Sequence, residues 1–314
     1  MLSIVITTRN TRELVRGLLA SIEADGTLTA ALQEVIVVDN GSTDGTDAMF
    51  AAAFPRVLYV RNQENRGFAA AANEGFRRSS GKFVLFLNSD TRLIASETVK
   101  LLDFMRSDGS IGIAAPQLVY EDGRPQRSFA PIPCLAFELL PAPVLALFSP
   151  RFRTKGEGLK GPSDVESLIG AALMVRRRVF DATGGFDEGF FFFLEETDLC
   201  LRASREGFRL VFFPASRLVH LQGKTVSQSW VAGRMEYAIS LHAFIGKYHS
   251  GPYRAVFAIV RLCKALVFLL VATVLPFVLL GKSVRRRYGY YAHLLLWHLK
   301  GRPADAGLRV SSPV

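Results

Sequence analysis

Carboxylates are the residues in this chain best placed to do chemistry, and they sit where apolar runs stop. Asp39 follows EVIVV, Asp90 follows FVLFL, and Glu195, Glu196 and Asp198 follow FFFFL. Open α/β sheets bind ligands at the carboxyl edges of their strands, so acids at several strand ends spread over about 160 residues point to one assembled site. A nucleotide with a metal ion is the ligand such a site suits.

Each motif also has an ordinary explanation. In VVDNGSTDGT, Asp39 enters a loop with Gly41 and Gly45, where its carboxylate can accept from the imide N–H of uracil or thymine. The same residue types build common strand-to-helix turns. In LFLNSDT, Asn88 and Asp90 flank Ser89, a spacing that lets two side chains reach ribose and a divalent ion on a diphosphate. Glu195, Glu196 and Asp198 open a helix expected to run to Glu206 and stop at Gly207. The helix dipole favours acids in a first turn, which accounts for Asp198 better than for a run of three. His220 closes LVFFPASRLVH, and a lone histidine is more often structural than a ligand.

The elements that must position these groups follow from periodicity. Ser3 to Thr8 is a β-branched run, and Asn10 with Glu13 reads as a capping pair ahead of Leu14, Leu18 and Ile22 at helical spacing. The unit recurs, with strands over 34–38, 57–60 and 83–87 and helices over 47–54, 67–79 and 96–107. Strands apolar throughout belong in a parallel sheet covered on both faces. Residues 1–115 are therefore expected to be a nucleotide-binding half-domain. From Pro116 to Pro162 the texture turns to Pro, Gly and basic residues around Cys134 to Phe148, a long excursion near the site. Regular pattern returns over Leu168 to Val175 and continues to Phe213 and Val219.

Composition bounds the function. The 314 residues suit one large α/β domain plus something smaller, and an apolar fraction of 49% supports a full core. A net charge of +10 favours anionic partners: nucleic acid, phosphorylated metabolites or anionic lipid. Cys134, Cys200 and Cys263 are odd in number and widely spaced, which argues against a disulfide framework or a zinc site and for a reducing cytosol. The first residues enter a strand pattern at once, so no cleaved signal peptide is expected and the catalytic part is expected on the cytoplasmic side. Ala265 to Leu280 carries no charge in sixteen residues and is followed by Lys282, Arg285, Arg286 and Arg287. That is short of the roughly 20 residues of a spanning helix, and a single span would place the arginines outside. An interfacial or re-entrant helix, paired with Tyr290 to Leu299 as a hairpin, keeps these cations beside anionic headgroups.

Taken in order, the motifs resemble those of the family 2 glycosyltransferases, nucleotide-sugar enzymes of the GT-A fold, and within them the rhamnosyltransferase-like group. The resemblance rests on SIVITTRN, EVIVVDNGSTDGT, NRGFAAAANEGF, GKFVLFLNSDT, GAALMVRRRVFDATGGFDEGFFFFLEETDLCLRASREGF and PASRLVHLQGK. It covers Ser3 to about Lys224 almost continuously.

The resemblance implies a role for each matching residue. Asp39 would read the pyrimidine, Thr7 and Arg9 would line the base and ribose, and Arg66 and Asn73 would lie along the nucleotide. Asn88 stands where the usual D-x-D has its first aspartate; with Ser89 it completes the donor site. Asp90 would hold Mg²⁺ or Mn²⁺, joined by His220. Glu196 falls at the catalytic base, the second acid of a pair that here is Glu195 and Glu196. Because this pair departs from the family's E-D, the base stays open among Glu195, Glu196 and Asp198. The implied reaction is an inverting single displacement, with Phe190 to Phe193 and Gly184 to Gly185 shaping the acceptor side.

The resemblance further implies transfer of one sugar, with L-rhamnose from dTDP-rhamnose ahead of a UDP-sugar. The acceptor would be a polyprenyl-diphosphate-linked saccharide of cell-envelope polysaccharide synthesis. Processive synthases carry Q-x-x-R-W, and the nearest string here is Gln228, Ser229, Trp230. The expected organisation is a GT-A domain over 1–248, divided at 115/116, and a hydrophobic and basic helical region over 249–314 that holds the enzyme on the cytoplasmic face of the cell membrane, peripherally or monotopically. Two other classes fit less well. A sugar-phosphate nucleotidyltransferase needs a glycine-rich basic loop after the first strand, and TTRNTREL has no glycine. A nucleic-acid-binding protein needs its basic residues clustered with aromatics in a recognition fold, so no nucleic-acid partner is expected.

Overall fold

The structure, a computed structural model, describes residues 1–24, 26–148, 159–221, 230–275, 281–303 and 306–309, without the side chains of 142 and 143. Lys224, Gln228, Ser229 and the segment 276–280, all used in the sequence reading, lie outside the described residues.

In chain order the elements begin with β1 (Leu2–Thr8), α1 (Arg12–Glu23), β2 (Leu32–Asp39), α2 (Thr46–Ala53), β3 (Leu58–Arg61) and α3 (Phe68–Arg78). Then come β4 (Phe83–Asn88), β5 (Thr91–Arg92), α4 (Ala95–Ser107), β6 (Ile111–Val119), β7 (Phe129–Ala130), α5 (Ala136–Leu139) and α6 (Ala142–Phe148). The chain continues through β8 (Ser163–Asp164), β9 (Ser167–Leu168), β10 (Ala172–Arg176), α7 (Arg177–Thr183), α8 (Glu195–Arg205) and β11 (Arg209–His220). Three long helices follow: α9 (Trp230–Tyr248), α10 (Gly251–Val274) and α11 (Lys282–Leu299).

These elements form two compact units. The first comprises Met1–Ile132, Pro150–Gly189 and Glu195–Thr225. Its sheet runs β3-β2-β1-β4-β10-β6-β11-β5, with β8 also on β11. The pairs β3/β2, β2/β1, β1/β4 and β6/β11 are parallel, and β10 is antiparallel to β4 and β6. This is the mixed, mainly parallel sheet expected of a GT-A fold. β1 is buried almost throughout because helices cover both faces, and α1 presents Val15, Leu18, Leu19 and Ile22 to the core at helical spacing. On the other face Phe86 meets Phe180 and Phe186 at centroid separations of 5.4 and 5.2 Å.

Three local expectations are corrected. Asn10 does not cap α1: the helix starts at Arg12, and Asn10, at φ 50°, turns its Oδ1 to the Thr43 N–H at 2.8 Å. The excursion expected from Pro116 begins later, since β6 runs on to Val119 and is buried at all nine positions. Proline cannot donate to a ladder, and β11 accommodates it by skipping from Phe213 to Arg217 between partners Pro116 and Gln117. The run Leu168 to Val175 is two strands, with Ala171 between them accepting from the Asn88 N–H at 3.1 Å.

The second unit comprises Pro133–Ser149, Phe190–Leu194 and Val226–Val314. Met235, Ala238, Ala265, Tyr290, Leu294 and Trp297 form its core. The sequence expectation drew a boundary after Tyr248, whereas α9 groups here with α10 and α11, as do α5, α6 and Phe190–Leu194. Among the described residues α10 is the one helix long and apolar enough to cross a membrane, and only 22% of its most apolar stretch is buried.

Candidate active site

The register of the first unit brings three strand ends to one edge. Thr8 of β1 pairs with Asp39 of β2, and Thr7 pairs with Asn88 of β4. β2 and β3 lie on one side of β1 and β4 on the other, so strand order reverses between β1 and β4, where open α/β sheets take their ligands. Arg9 is half-buried directly after β1. The turn after β4 is held by a hydroxyl chain: Thr11 Oγ1 donates to Ser89 Oγ at 2.9 Å and lies 2.8 Å from Thr8 Oγ1.

Asp90 and His220 meet beyond that turn. Asp90 is buried, its carbonyl accepts from the Leu221 N–H at 2.8 Å, and its Oδ1 has no hydrogen bond but lies 3.5 Å from His220 Nε2. β11 brings His220 there by pairing it with Thr91. Gln126 Nε2 donates to the His220 carbonyl at 2.6 Å, which turns its Oε1 to His220 Nδ1 at 2.9 Å. Nδ1 therefore donates to Gln126 Oε1, and Nε2 is turned toward the carboxylate. Gln126 is fixed in turn, with its N–H on the Leu118 carbonyl at 2.7 Å and its carbonyl accepting from Gln117 Nε2 at 2.8 Å.

A buried carboxylate oxygen without a hydrogen bond carries a desolvation penalty, and a cation held between it and His220 Nε2 would remove that penalty. Among the described residues no group of three or more His, Cys, Asp or Glu is placed to hold a metal ion. The pair thus fits a divalent ion that takes its remaining ligands from diphosphate and water, the usual habit of Mg²⁺.

Glu196 approaches the same edge through the backbone. Gly170, next to the Ala171 that receives Asn88, lies so close that a Cβ added to it would touch Glu196 Cβ and Cγ at 3.5 Å. Ser167 Oγ donates to Thr197 Oγ1 at 3.1 Å and fixes α8 against β9. Glu195 is buried and Glu196 half-buried. Immediately before them Phe193 and Leu194 both adopt left-handed φ values, 71° and 67°. Such strain in non-glycine residues persists only where the surroundings over-determine it, and it gathers at functional sites.

Other expected site residues have partners within the protein. Asp198 is fully buried, and its Oδ2 accepts from Arg202 Nε at 2.7 Å. The same guanidinium donates to the Thr183 and Gly185 carbonyls at 2.6 and 2.7 Å. Asn73 Nδ2 donates to the Phe186 carbonyl and to Glu188 Oε1, both at 2.9 Å, and its Oδ1 accepts from the Phe186 N–H at 2.9 Å. It anchors the 184–188 turn, where Gly185, at φ 82°, has Asn73 Oδ1 only 2.8 Å from where a Cβ would stand. Arg66 is exposed and pairs with Glu74 at 3.6 Å.

Asp39 is fully buried and already engaged. Its Oδ1 accepts from the Ser42 N–H at 2.9 Å and Ser42 Oγ at 2.5 Å, and its Oδ2 from the Tyr59 hydroxyl at 2.5 Å. Burial, then the Asp39 hydrogen bond and charge, push the Tyr59 hydroxyl well above its usual range, so it stays a donor. Sequence reasoning missed Tyr59, Ser42, Thr11 and Gln126. Gln126 carries no periodic or motif signal, and Tyr59 reads as a strand aromatic.

Comparison with known proteins agrees with this arrangement. A family model described as Glycosyl transferase family 2 matches residues 3–184. The chain is 29% identical over 238 residues to the N-acetylglucosaminyl-diphospho-decaprenol L-rhamnosyltransferase of Mycobacterium tuberculosis (strain CDC 1551 / Oshkosh), covering 70% of this chain and 77% of that one. It is 25% identical over 170 residues to the rhamnosyltransferase WbbL of Escherichia coli (strain K12), covering 52% and 61%. In three dimensions it is similar to the mannosyltransferase PcManGT of Pyrobaculum calidifontis, solved with GDP-Man and Mn²⁺, with a TM-score of 0.57 at 18% identity over 95% of this chain and 86% of that one.

Proposed function

The chain belongs to glycosyl transferase family 2, and from that premise we propose that it transfers one sugar, L-rhamnose from dTDP-rhamnose, with inversion to a hydroxyl of a polyprenyl-diphosphate-linked saccharide. The relatives named for rhamnosyl transfer, one of them for a decaprenol-linked acceptor, support the sugar and the acceptor class. The observation that carries the mechanism is the buried Asp90 oxygen facing His220 Nε2 at the strand reversal.

In this reading Asp90 and His220 hold Mg²⁺ or Mn²⁺, which when bound neutralises the charge developing on the leaving diphosphate. Ser89 and Asn88 meet the donor's ribose and phosphate at the β4 edge, and Thr7 and Arg9 line the base. The base's imide N–H competes with the Tyr59 hydroxyl for Asp39 Oδ2. Glu196 accepts the proton of the attacking hydroxyl: it stands beside the β4 edge, whereas the Asp198 carboxylate is held by Arg202. Glu196 lies in the first turn of α8, where the helix dipole favours negative charge, which suits a base.

Unit two holds the enzyme on the cytoplasmic face of the membrane as a peripheral or monotopic protein. The apolar exposure of α10 and the cations Lys282 and Arg285–Arg287 support this. The test is donor hydrolysis and transfer by the purified full chain against dTDP- and UDP-sugars, with and without Mn²⁺. Turnover of dTDP-rhamnose that needs the metal is the expected result; full turnover in EDTA overturns the metal role, and preference for another donor overturns the rhamnose assignment.

A further inference from the structure

The segment that carries α5 and α6 belongs to the second unit and is fastened to its helices. Glu138 of α5 accepts from Arg261 Nη1 at 2.8 Å and from Lys264 Nζ at 2.9 Å, both on α10. Arg261 Nη2 in turn donates to the Tyr290 hydroxyl of α11 at 2.9 Å, and the Leu135 N–H donates to the Tyr253 hydroxyl at 2.7 Å. Arg261 and Lys264 are the two cations that interrupt the apolar run when it is read from Phe257. With these two cations paired to Glu138, α10 keeps an apolar outer face from Val256 to Val274: Val256, Ile259, Val267, Leu270 and Val274 are exposed at helical spacing, while Phe257, Arg261, Ala265 and Ala272 face inward.

The segment after α5 carries a second apolar face. On α6, Val144, Leu147 and Phe148 fall at i, i+3 and i+4 and are exposed, Leu147 by 84% and Phe148 by 77%, while Leu145 is buried. Leu139, at the end of α5, is 61% exposed. Charge names the partner these faces suit, because the second unit carries twelve Lys and Arg against the acids Glu138, Glu236 and Asp305. Large exposed apolar side chains within strongly cationic surroundings match an anionic lipid surface, where tails take the former and headgroups attract the latter.

We propose that α5 and α6 form a second membrane-docking element, in which Leu139, Leu147 and Phe148 enter the same anionic leaflet as the outer face of α10 and Glu138 joins the two by neutralising Arg261 and Lys264. The inference rests on the membrane reading of the second unit above and adds to it a segment some 100 residues earlier in the chain.

Sedimentation of the full chain with phosphatidylglycerol or phosphatidylcholine vesicles tests it. The wild type is expected to bind the anionic vesicles, and Leu147→Glu/Phe148→Glu to bind them at least about tenfold more weakly. Because a double variant can fail to fold, Phe148→Trp supplies a second readout, with fluorescence quenched by brominated phosphatidylglycerol beyond the level of Trp230 and Trp297 in the wild type. Unchanged vesicle affinity of the double variant, or no added quenching at position 148, overturns the inference while leaving the membrane reading standing. A change in sedimentation velocity without lipid, with vesicle affinity unchanged, makes the face a contact between copies of the chain and also overturns it. If the wild type ignores both vesicles, the membrane reading itself falls.

Discussion

Gln126 and His220 hold each other through two hydrogen bonds of opposite direction: the Gln126 amide donates to the His220 carbonyl at 2.6 Å, and the His220 Nδ1–H donates to Gln126 Oε1 at 2.9 Å. The residues are far apart in sequence, and the effect is to commit the imidazole to one tautomer with Nε2 toward Asp90. Such outer partners of a metal-binding histidine typically affect metal affinity about 10- to 100-fold. Gln126→Leu is therefore expected to weaken Mn²⁺ binding by that factor in titrations with nucleoside diphosphate present. Gln126→Glu, which keeps an acceptor for Nδ1–H, restores much of it. Equal affinity in Gln126→Leu and wild type would show that the tautomer is set elsewhere.

Asp90 is the more severe substitution. Asp90→Asn exchanges the carboxylate for a neutral amide where the Oδ1 has no protein hydrogen bond. Metal affinity and transfer are both expected to be lost, and EDTA treatment of the wild type should reproduce the loss reversibly on Mn²⁺ addition. A variant that binds Mn²⁺ as the wild type does would remove Asp90 from the site.

The three acids of α8 separate by what they touch. Glu196→Gln is expected to lower kcat by roughly 10²- to 10⁴-fold with donor affinity unchanged, the signature of a lost general base. Asp198→Asn acts on stability, because it removes the charge that the mostly buried Arg202 guanidinium pairs with and keeps one amide oxygen beside the Thr183 and Gly185 carbonyls as acceptors. Its cost is about 1–3 kcal/mol in denaturant unfolding, below that of a fully buried pair because Arg202 keeps those carbonyls. An active Glu196→Gln with an inactive but stable Asp198→Asn would reverse the two roles.

The contrast between Asp198 and Asp90 shows what a sequence makes legible. Both are acids after apolar runs; periodicity ends β4 at Leu87, one residue short of its actual end at Asn88, and it starts α8 correctly at Glu195. Strand-end placement depends on local pattern, so the β1–β2–β4 edge was readable. Whether a carboxylate faces a ligand or a neighbour depends on partners brought by the fold, and Arg202, Tyr59 and Gln126 are partners no periodicity marks. The partners of Asn73 were hidden for the same reason: its three bonds go to the 186–188 segment, over 110 residues away. The continuation of β6 through Pro116 was hidden because the bulge that tolerates the proline lies on its partner strand. The fastening of α5 to α10 rests on one glutamate in a Pro-rich segment and has no local signal at all.

Glu236 links the second unit's stability to pH. It is fully buried on α9, where it accepts from the Leu308 N–H at 3.0 Å. Burial pushes its carboxyl up to about 7, with the Leu308 N–H and Arg309 opposing the rise. A folded carboxyl that titrates above its unfolded value binds the extra proton between the two pH values, so its stabilising contribution is complete below about pH 4.5 and is lost as pH rises through 7. A rise from 4.5 to about 7 corresponds to roughly 3 kcal/mol. Glu236→Gln keeps the shape and an acceptor for Leu308 but cannot ionise. The wild type is expected to lose stability from pH 5 to pH 8 in thermal or denaturant unfolding, and Glu236→Gln to lose markedly less, becoming the more stable protein at pH 8. Parallel pH profiles for the two proteins would mean that Glu236 is ionised in the folded chain throughout this range.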